Sequence, residues 1–261
     1  MHIRRLGWAG LELEADGQIA LVDLLQQTSW IEGFVGAPRT DLPAPSRPAD
    51  LALVTHLHAD HADPASLKQA LKPGAPVLRP APATGDGLEN AALELAETGL
   101  AELETRVVEP WETVEIGPFR ISAIPAADGT GDPQVSWVVA AAGTTLIHCG
   151  DTLFHGWWWR AAMRFGPVDI AFLPVNGAVV DFPHRQPASG LPAAMTPRDA
   201  AAAARALGVR EAIPIHYDTF HSPPLYDAPG GAADAFVEAA TAAGVSARIV
   251  EPGEVVAAAA V

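Results

Sequence analysis

Four side chains that commonly bind metal ions, His56, His58, Asp60 and His61, lie within six residues of one another. They directly follow the apolar run Leu51–Val54, which predicts a buried strand. Residues two apart in extended backbone point the same way, so His56 and His58 are predicted to bind one ion. The following turn would place Asp60 and His61 on the opposite side, around a second ion. A histidine-rich polar loop is the alternative, but such crowding without a metal would be costly to desolvate.

Two distant segments offer further ligands. Asp151 comes just past the predicted strand Thr144–His148, and its two carboxylate oxygens could bridge two cations. His216 follows the predicted strand Glu211–Ile215. Each pattern alone is weak, because Gly-Asp pairs are common in turns and a lone histidine at a strand end is commonly structural. In combination with the first cluster they predict a site for divalent metal ions.

The elements that would position these residues are strands first and alternating strands and helices later. Helices are predicted after Asp63-Pro64 and Thr196-Pro197, around Leu88–Ala96 and over residues 232–243. The order predicts one α/β domain over residues 1–261, with two sheets and outer helices. Strand patterns occupy Ile3–Trp8, Leu11–Ala15, Ile19–Leu24, Leu51–Val54, Thr113–Ile116, Phe119–Ile124, Val135–Ala140, Thr144–His148, Asp169–Leu173, Glu211–Ile215 and Ser246–Val250.

Composition narrows the function classes. The 261 residues carry a formal net charge of −15, which opposes binding to nucleic acid, so we expect a small-molecule substrate instead. The single cysteine, Cys149, excludes an internal disulfide. Neither a signal peptide nor a run long enough to span a membrane is apparent, so we expect a cytoplasmic protein.

The sequence resembles the metallo-β-lactamase-fold hydrolases over most of its length. The resemblance rests on Leu6–Gly10, Val22-Asp23, His56–His61, Gly150–Thr152 and Ile213–Tyr217. A second group of motifs is most similar to the L-ascorbate-6-phosphate lactonase-like branch. These motifs are Leu173–Gly177, Met195–Pro197 and His216–Phe220.

This resemblance implies a four-layer αββα sandwich of two mixed sheets, with two divalent ions (zinc, manganese or iron) at one edge between them. By the family pattern, His56 and His58 would hold the first ion and Asp151 would bridge the two. Asp23 would support the histidines of the metal loop from behind. The second ion would be held by Asp60, His61 and His216.

One position departs from the family pattern. After the strand that ends near Ile124, the family usually has a histidine as the third ligand of the first metal, whereas this chain has Asp128. If Asp128 replaces the imidazole, the site is richer in oxygen and favours manganese or iron over zinc. Otherwise the protein holds one ion or has lost activity, or Asp128-Gly129 is an ordinary turn. We favour ligation by Asp128.

The predicted chemistry is metal-assisted hydrolysis. Two cations lower the pKa of a bridging water and stabilise charge on the substrate, with Asp60 and Asp151 as the catalytic carboxylates. No serine-histidine triad or phosphate-binding glycine loop accompanies the cluster. We expect a small lactone, ester or phosphoester as substrate, as in sugar-phosphate lactonases. A phosphodiesterase of lipid or nucleotide type, or a catalytically impaired metal-binding protein, is the alternative.

Four residues are candidates for substrate binding. Asn176 follows a buried strand, although a strand-terminating turn is equally expected there. His184 and Arg185 lie in a predicted loop, where Arg185 could bind a phosphate or carboxylate; a solvated arginine is the alternative. Tyr217 adjoins a predicted ligand and could donate a hydrogen bond to it or to the substrate. The run Trp157–Trp159 is a candidate contact in a homo-oligomer.

Overall fold

The computed structural model describes residues 1–82 and 88–256. The first of its two large sheets is mixed. The strand order is β15-β1-β2-β3-β4-β5-β6, antiparallel from β15 to β3 and parallel from β3 to β6. The strands are β1 (His2–Arg5), β2 (Leu11–Ala15), β3 (Gln18–Val22), β4 (Leu51–Leu53), β5 (Pro76–Arg79), β6 (Glu104–Val107) and β15 (Val255–Val256).

The second sheet is also mixed and has the order β13-β11-β10-β9-β8-β7. Strands β10, β11 and β13 run parallel, and the remaining pairs are antiparallel. A separate antiparallel pair consists of β12 (Val179–Val180) and β14 (Tyr226–Asp227). The strands of the second sheet are β7 (Thr113–Ile116), β8 (Phe119–Pro125), β9 (Val135–Ala141), β10 (Thr144–His148), β11 (Ile170–Pro174) and β13 (Glu211–Ile215).

Helices cover the outer faces of the two sheets. The first sheet packs on α2 and α3, and the second packs on α4, α5 and α6. Asp63 caps α2, and Thr196 caps α5 through a capping box, as their sequence context predicts. The helices are α1 (Glu32–Val35), α2 (Pro64–Ala70), α3 (Leu88–Leu100), α4 (Trp158–Phe165), α5 (Pro197–Leu207) and α6 (Ala232–Ala242).

Alternation along the strands separates the inner and outer cores. In β3, Ala20 and Val22 face the core between the sheets, whereas Ile19 and Leu21 face the outer helices. Trp137 of β9, in the second sheet, packs in the same inner core. The result is the predicted four-layer αββα sandwich of two mixed sheets.

Most of the predicted strands are confirmed, with two informative differences. The first strand ends at Arg5 because Gly7 and Trp8 adopt left-handed backbone, with φ of 81° and 43°. The predicted strand Ser246–Val250 is wrong: only Ala247 forms a bridge, to Ala212 of β13. This segment runs beside the edge strand for too short a distance to form a ladder.

The tryptophan run divides between core and surface. Trp158 is fully buried, whereas Trp157 and Trp159 are exposed. An oligomer contact at these two side chains stays a prediction. Among the residues that the structure describes, no helix has the length and apolar character needed to cross a bilayer.

Candidate metal centre

Loops from both sheets converge at one edge of the sandwich. Each of these loops leaves the carboxyl end of a strand, and strand ends on the same edge bring distant residues together. Asp23 follows β3, the segment His56–His61 follows β4, Asp128 follows β8, Asp151 follows β10 and His216 follows β13.

The structure brings the seven predicted ligands together in two groups. Within each group the potential ligand atoms all lie within 4.8 Å of one another. The first group is His56, His58, Asp128 and Asp151, and the second is Asp60, His61 and His216. This division matches the one that the family pattern implies, including the place of Asp128.

Asp151 lies between the two groups. Its Oδ1 is 3.3 Å from Nε2 of His56 in the first group, and its Oδ2 is 4.0 Å from Nε2 of His216 in the second. One oxygen therefore faces each group. This is the arrangement that a carboxylate bridging two cations requires.

Asp23 sets the orientation of two histidine rings from behind. Its Oδ2 accepts hydrogen bonds from Nδ1 of His61 at 2.7 Å and from the hydroxyl of Thr55 at 2.7 Å. Because the Thr55 hydroxyl gives its only proton to Asp23, it must accept from Nδ1 of His56, 3.0 Å away. Nδ1 of each ring is therefore engaged from behind, and Nε2 is the nitrogen that faces the site.

His58 is held in the opposite way. Its Nε2 lies 2.9 Å from Oδ2 of Asp132, so Nδ1 faces the site and is 3.6 Å from Oδ2 of Asp128. Asp128 is fixed in turn, because its Oδ1 accepts from the backbone N–H groups of Thr130 and Gly131 and from the Thr130 hydroxyl. The other oxygen of Asp128 is thus directed at His58 and at His56, whose Nε2 is 4.0 Å away.

The arrangement fits divalent metal ions. Nε2 of His56, His61 and His216 is buried and has no hydrogen-bond partner among the residues that the structure describes, which is costly unless another ligand completes the site. Asp60 Oδ2 lies 3.4 Å from Nε2 of His61 and 3.6 Å from Nε2 of His216. Ligands about 2.0–2.1 Å from a tetrahedral ion are about 3.3–3.4 Å apart, so these separations suit a shared cation.

The electrostatics of the site favour positive charge. Burial alone would lower the pKa of His58, but the nearby carboxylates of Asp128 and Asp132 outweigh it and raise this pKa to about 9. Burial likewise opposes the charge of Asp60, yet His61 and His216 hold its pKa well below the ordinary value. Without metal, protons on the histidines take the place of cations beside anionic carboxylates.

Close packing and strained backbone hold the loops in place. Gly150 has φ +65°, and a Cβ at this position would lie 2.9 Å from the Thr55 hydroxyl, so only glycine lets the two metal loops approach. His216 has left-handed backbone with φ 59°, and its ring packs on Trp8 with centroids 3.8 Å apart. Trp8 also donates from Nε1 to Asp60 at 2.9 Å. The second group is therefore preorganised by an aromatic residue that sequence reasoning did not assign to the site.

A cavity of about 340 Å³ opens above the two groups. Five of the seven candidate ligands form its floor, and its walls are mainly apolar; the five are His58, Asp60, Asp128, Asp151 and His216. At the mouth, the rings of Phe34 and Phe182 meet edge to face at 5.9 Å, and His184 stacks on Phe182 at 5.5 Å. Other apolar wall residues are Trp30, Ile31, Val35, Leu57, Ala178 and Val180.

The predicted substrate-binding residues have different positions. His184 and Arg185 line the cavity, and Arg185 donates to Oδ2 of Asp132 at 3.1 Å and to the carbonyl of Thr130. The prediction for Tyr217 is corrected: it lies outside the cavity lining, and its hydroxyl accepts from Arg5 at 2.6 Å.

The prediction for Asn176 is also corrected. Its side chain is buried behind the cavity wall and donates to the hydroxyl of Tyr226 at 2.8 Å. Tyr226, which lines the cavity, was not singled out by sequence reasoning, and neither was Asp132. The sequence holds no pattern that would have marked either one, because both depend on the approach of distant loops.

Comparison with known proteins supports this assignment. Residues 20–217 match the model of the "Beta-lactamase superfamily domain" family. A UPF0173 metal-dependent hydrolase of Pyrobaculum neutrophilum is 30% identical over 261 residues, covering 98% of this chain and 99% of the relative. The sequence relationship therefore extends over nearly the whole of both chains.

Two solved structures share the fold. Igni18, a metallo hydrolase from Ignicoccus hospitalis, matches with a TM-score of 0.67 and 20% identity, covering 98% of this chain and 97% of its own. A metallo-beta-lactamase fold protein from Bacillus subtilis matches with a TM-score of 0.63 and 16% identity, covering 98% of each chain. Together with the sequence matches, these findings place the chain in the beta-lactamase superfamily and its UPF0173 family: it is a metal-dependent hydrolase with the metallo-β-lactamase fold.

Proposed function

We propose that this enzyme hydrolyses an uncharged ester or lactone with a hydrocarbon portion, and that it uses two divalent ions. The first ion would be held by His56, His58 and Asp128, with Asp151 shared between both ions. The second would be held by Asp60, His61 and His216. This assignment is supported by the buried imidazole nitrogens, which have no partner in the described part of the chain, and by the ligand spacing in both groups.

The proposed metals follow from the donor set. Divalent ions, when bound, supply Lewis acidity and a nucleophilic water at neutral pH. With Asp128 in place of an imidazole, the first group offers two carboxylates and two histidines. We therefore place manganese or iron ahead of zinc in this group. The position of Asp128 Oδ2, 3.6 Å from Nδ1 of His58, favours a working site over an impaired one.

The apolar cavity directly above the ligands is the main observation in support of this substrate class. Hydrocarbon surface gains about 25 cal/mol per Å² on leaving water, so walls such as Phe34 and Phe182 favour an apolar substituent. Arg185 is engaged by Asp132 and by the carbonyl of Thr130, which makes it a poor phosphate ligand.

The chain's own residues position the reaction. The ester enters through the mouth at Phe182, and its carbonyl reaches the floor beside Asp60 and Asp151. These carboxylates stay anionic, because neighbouring histidines hold their pKa values below the ordinary range despite burial. Hydrolysis adds the oxygen of water to the acyl carbon and breaks the bond to the leaving oxygen. That oxygen gains a proton from water, so no oxidant or reductant is needed.

Phosphoesters are the second candidate class. The sugar-phosphate lactonase-like motifs suggest a substrate with a phosphate group, and a lipid phosphodiester would also suit apolar walls. Both place a negative charge in the cavity, where Arg185 is already paired with Asp132. We therefore rank these substrates below uncharged esters and lactones.

A substrate panel tests this proposal. The protein loaded with Mn²⁺ would be assayed with 4-nitrophenyl acetate, butyrate and octanoate, alkyl-substituted γ-lactones and bis(4-nitrophenyl) phosphate. We expect kcat/KM to rise with acyl length and to disappear after treatment with a chelator. In the Phe182→Ala variant, the preference for octanoate over acetate should fall about 10- to 100-fold, because a phenyl ring is worth roughly 1.5–3 kcal/mol of burial.

Two results would contradict the proposal. One is hydrolysis of the phosphodiester at a higher kcat/KM than any ester or lactone. The other is ester hydrolysis that persists at full rate after complete metal removal. Leu191→Ala is a suitable control for Phe182→Ala, because Leu191 is an exposed apolar residue outside the cavity lining.

A further inference from the structure

Tyr226 is a tyrosine in the mainly apolar wall of the cavity. It lies on β14, lines the cavity and is 7% exposed. Its backbone is fixed by reciprocal hydrogen bonds with Ser222, at 2.8 and 3.0 Å, and by pairing with Val180 of β12. The position of this ring is therefore set by the fold before a substrate enters.

Asn176 determines which way the Tyr226 hydroxyl bonds. The amide oxygen of Asn176 accepts from the backbone N–H of Ala178 at 3.4 Å, so its NH₂ group faces Tyr226. This NH₂ group donates to the Tyr226 oxygen at 2.8 Å. A phenol has one proton to donate, and here its oxygen is already used as an acceptor. Within residues 1–82 and 88–256, no side chain or backbone group accepts the Tyr226 proton in a hydrogen bond.

The electrostatics keep that proton in place. A phenol has an ordinary pKa of about 10, and burial raises the pKa of Tyr226 above that value. Tyr226 is thus a neutral donor throughout the physiological pH range. It stands above the same floor that carries Asp60 and Asp151.

We infer that the Tyr226 hydroxyl donates a hydrogen bond to the substrate oxygen on which negative charge develops during hydrolysis, and that Asn176 is the residue that positions it. This inference rests on the proposed ester or lactone hydrolysis and adds a protein donor to it. Tyr226 keeps its proton throughout, so the balance of the reaction is unchanged. A donor aimed at developing charge accelerates the reaction more than it strengthens substrate binding.

The Tyr226→Phe variant tests the donor directly, because it removes only the oxygen. Using the metal-loaded enzyme and its best ester, we expect kcat to fall about 100-fold while KM changes less than about threefold. Binding of an alkylphosphonate that mimics the charged adduct should weaken by a similar factor in calorimetry. Metal content should stay the same. Tyr217→Phe removes the only other tyrosine hydroxyl, which faces Arg5 outside the cavity, and should keep its kcat.

The Asn176→Asp variant tests the positioning role. An ionised carboxylate would accept the Tyr226 proton and withdraw it from the substrate, so kcat should fall nearly as far as in Tyr226→Phe. The double variant Tyr226→Phe/Asn176→Asp should then be no slower than Tyr226→Phe alone. Independent structural damage would instead make the two losses multiply.

The outcomes separate this inference from the proposed function. If Tyr226→Phe keeps kcat and phosphonate affinity within about threefold of the parent while esters are hydrolysed, the inference is wrong and the proposed function stands. Multiplying losses in the double variant would overturn the role of Asn176. If the parent enzyme hydrolyses none of the esters or lactones, the proposed function fails and the inference fails with it.

Discussion

Oδ2 of Asp132 lies 2.9 Å from Nε2 of His58, and the same oxygen accepts from Arg185 at 3.1 Å. This contact turns Nδ1 of His58 toward Asp128. The segment that follows β8 thus supplies one proposed ligand, Asp128, and also the carboxylate that orients another. A single short loop connects the first metal group to the cavity wall at Arg185.

The Asp132–His58 contact predicts a specific loss of metal affinity. In Asp132→Asn, the His58 ring loses its anionic partner, so affinity at the first group should fall about 10- to 100-fold. Competition with a chromophoric chelator would measure this for both ions. Asp181→Asn, on a partly exposed carboxylate bonded to Gln186, is the control. Equal affinity in Asp132→Asn and the parent protein would contradict the orienting role.

Asp128 is the residue that decides the composition of the first group. Asp128→Ala removes an oxygen ligand and should reduce the metal content from two ions to about one per chain. Asp128→His restores the usual family residue and should keep two ions while shifting preference from Mn²⁺ toward Zn²⁺. Elemental analysis after dialysis against equimolar metals would show both effects. Unchanged content and preference in the two variants would argue against ligation by Asp128.

Metal binding should release protons. Without metal, the pKa of His58 is raised to about 9 and that of His61 is also raised, so both rings bind protons at pH 7. A ligating imidazole must be neutral, so the apparent affinity should increase with pH up to about 9, by about tenfold per unit for each proton released. Calorimetry in buffers of different ionisation enthalpy would count the protons. Zero release at pH 7 would contradict the electrostatics described for the site.

The metal ligands could be predicted from the sequence more completely than the residues of the substrate cavity. The spacing of His56, His58, Asp60 and His61 reflects local backbone geometry, and the family resemblance supplied the distant partners. The bond from Asn176 to Tyr226 could not be foreseen, because it joins residues 50 positions apart through two short strands. Loop residues have no periodicity from which their partners can be read.

The same distinction applies to the fold. Strands with clear alternation or strong apolar runs, such as Phe119–Ile124, were predicted nearly to the residue. Strand β6 was not, because Glu104–Val107 is exposed along its length at the sheet edge and lacks a buried face. Arg185 was expected to meet a substrate, but tertiary packing pairs it with Asp132.

His155 predicts a pH dependence of stability that is independent of the metal ligands. Its ring stacks on Trp158 at 3.9 Å, and burial lowers its pKa to about 4. In the unfolded chain a histidine has a pKa of about 6.5. Between about pH 4 and pH 6.5, His155 therefore binds a proton in the unfolded chain but not in the folded protein. The free energy of unfolding should therefore fall as pH drops from about 6.5 to about 4, by at most about 1.4 kcal/mol per unit from this group.

Denaturation of the metal-free protein at pH 7 and pH 5 checks this prediction. In His155→Phe, the difference in unfolding free energy between the two pH values should be smaller than in the parent protein. His2→Phe, at an exposed position, should leave the difference unchanged. An identical pH difference in His155→Phe and the parent would show that His155 is not the group responsible.

Anomalous diffraction from crystals saturated with Mn²⁺ tests the central claim most directly. We predict two peaks in the anomalous difference map, both within bonding distance of Asp151. One should lie beside His56, His58 and Asp128, and the other beside Asp60, His61 and His216. Saturated crystals with no peak at either group would contradict the account.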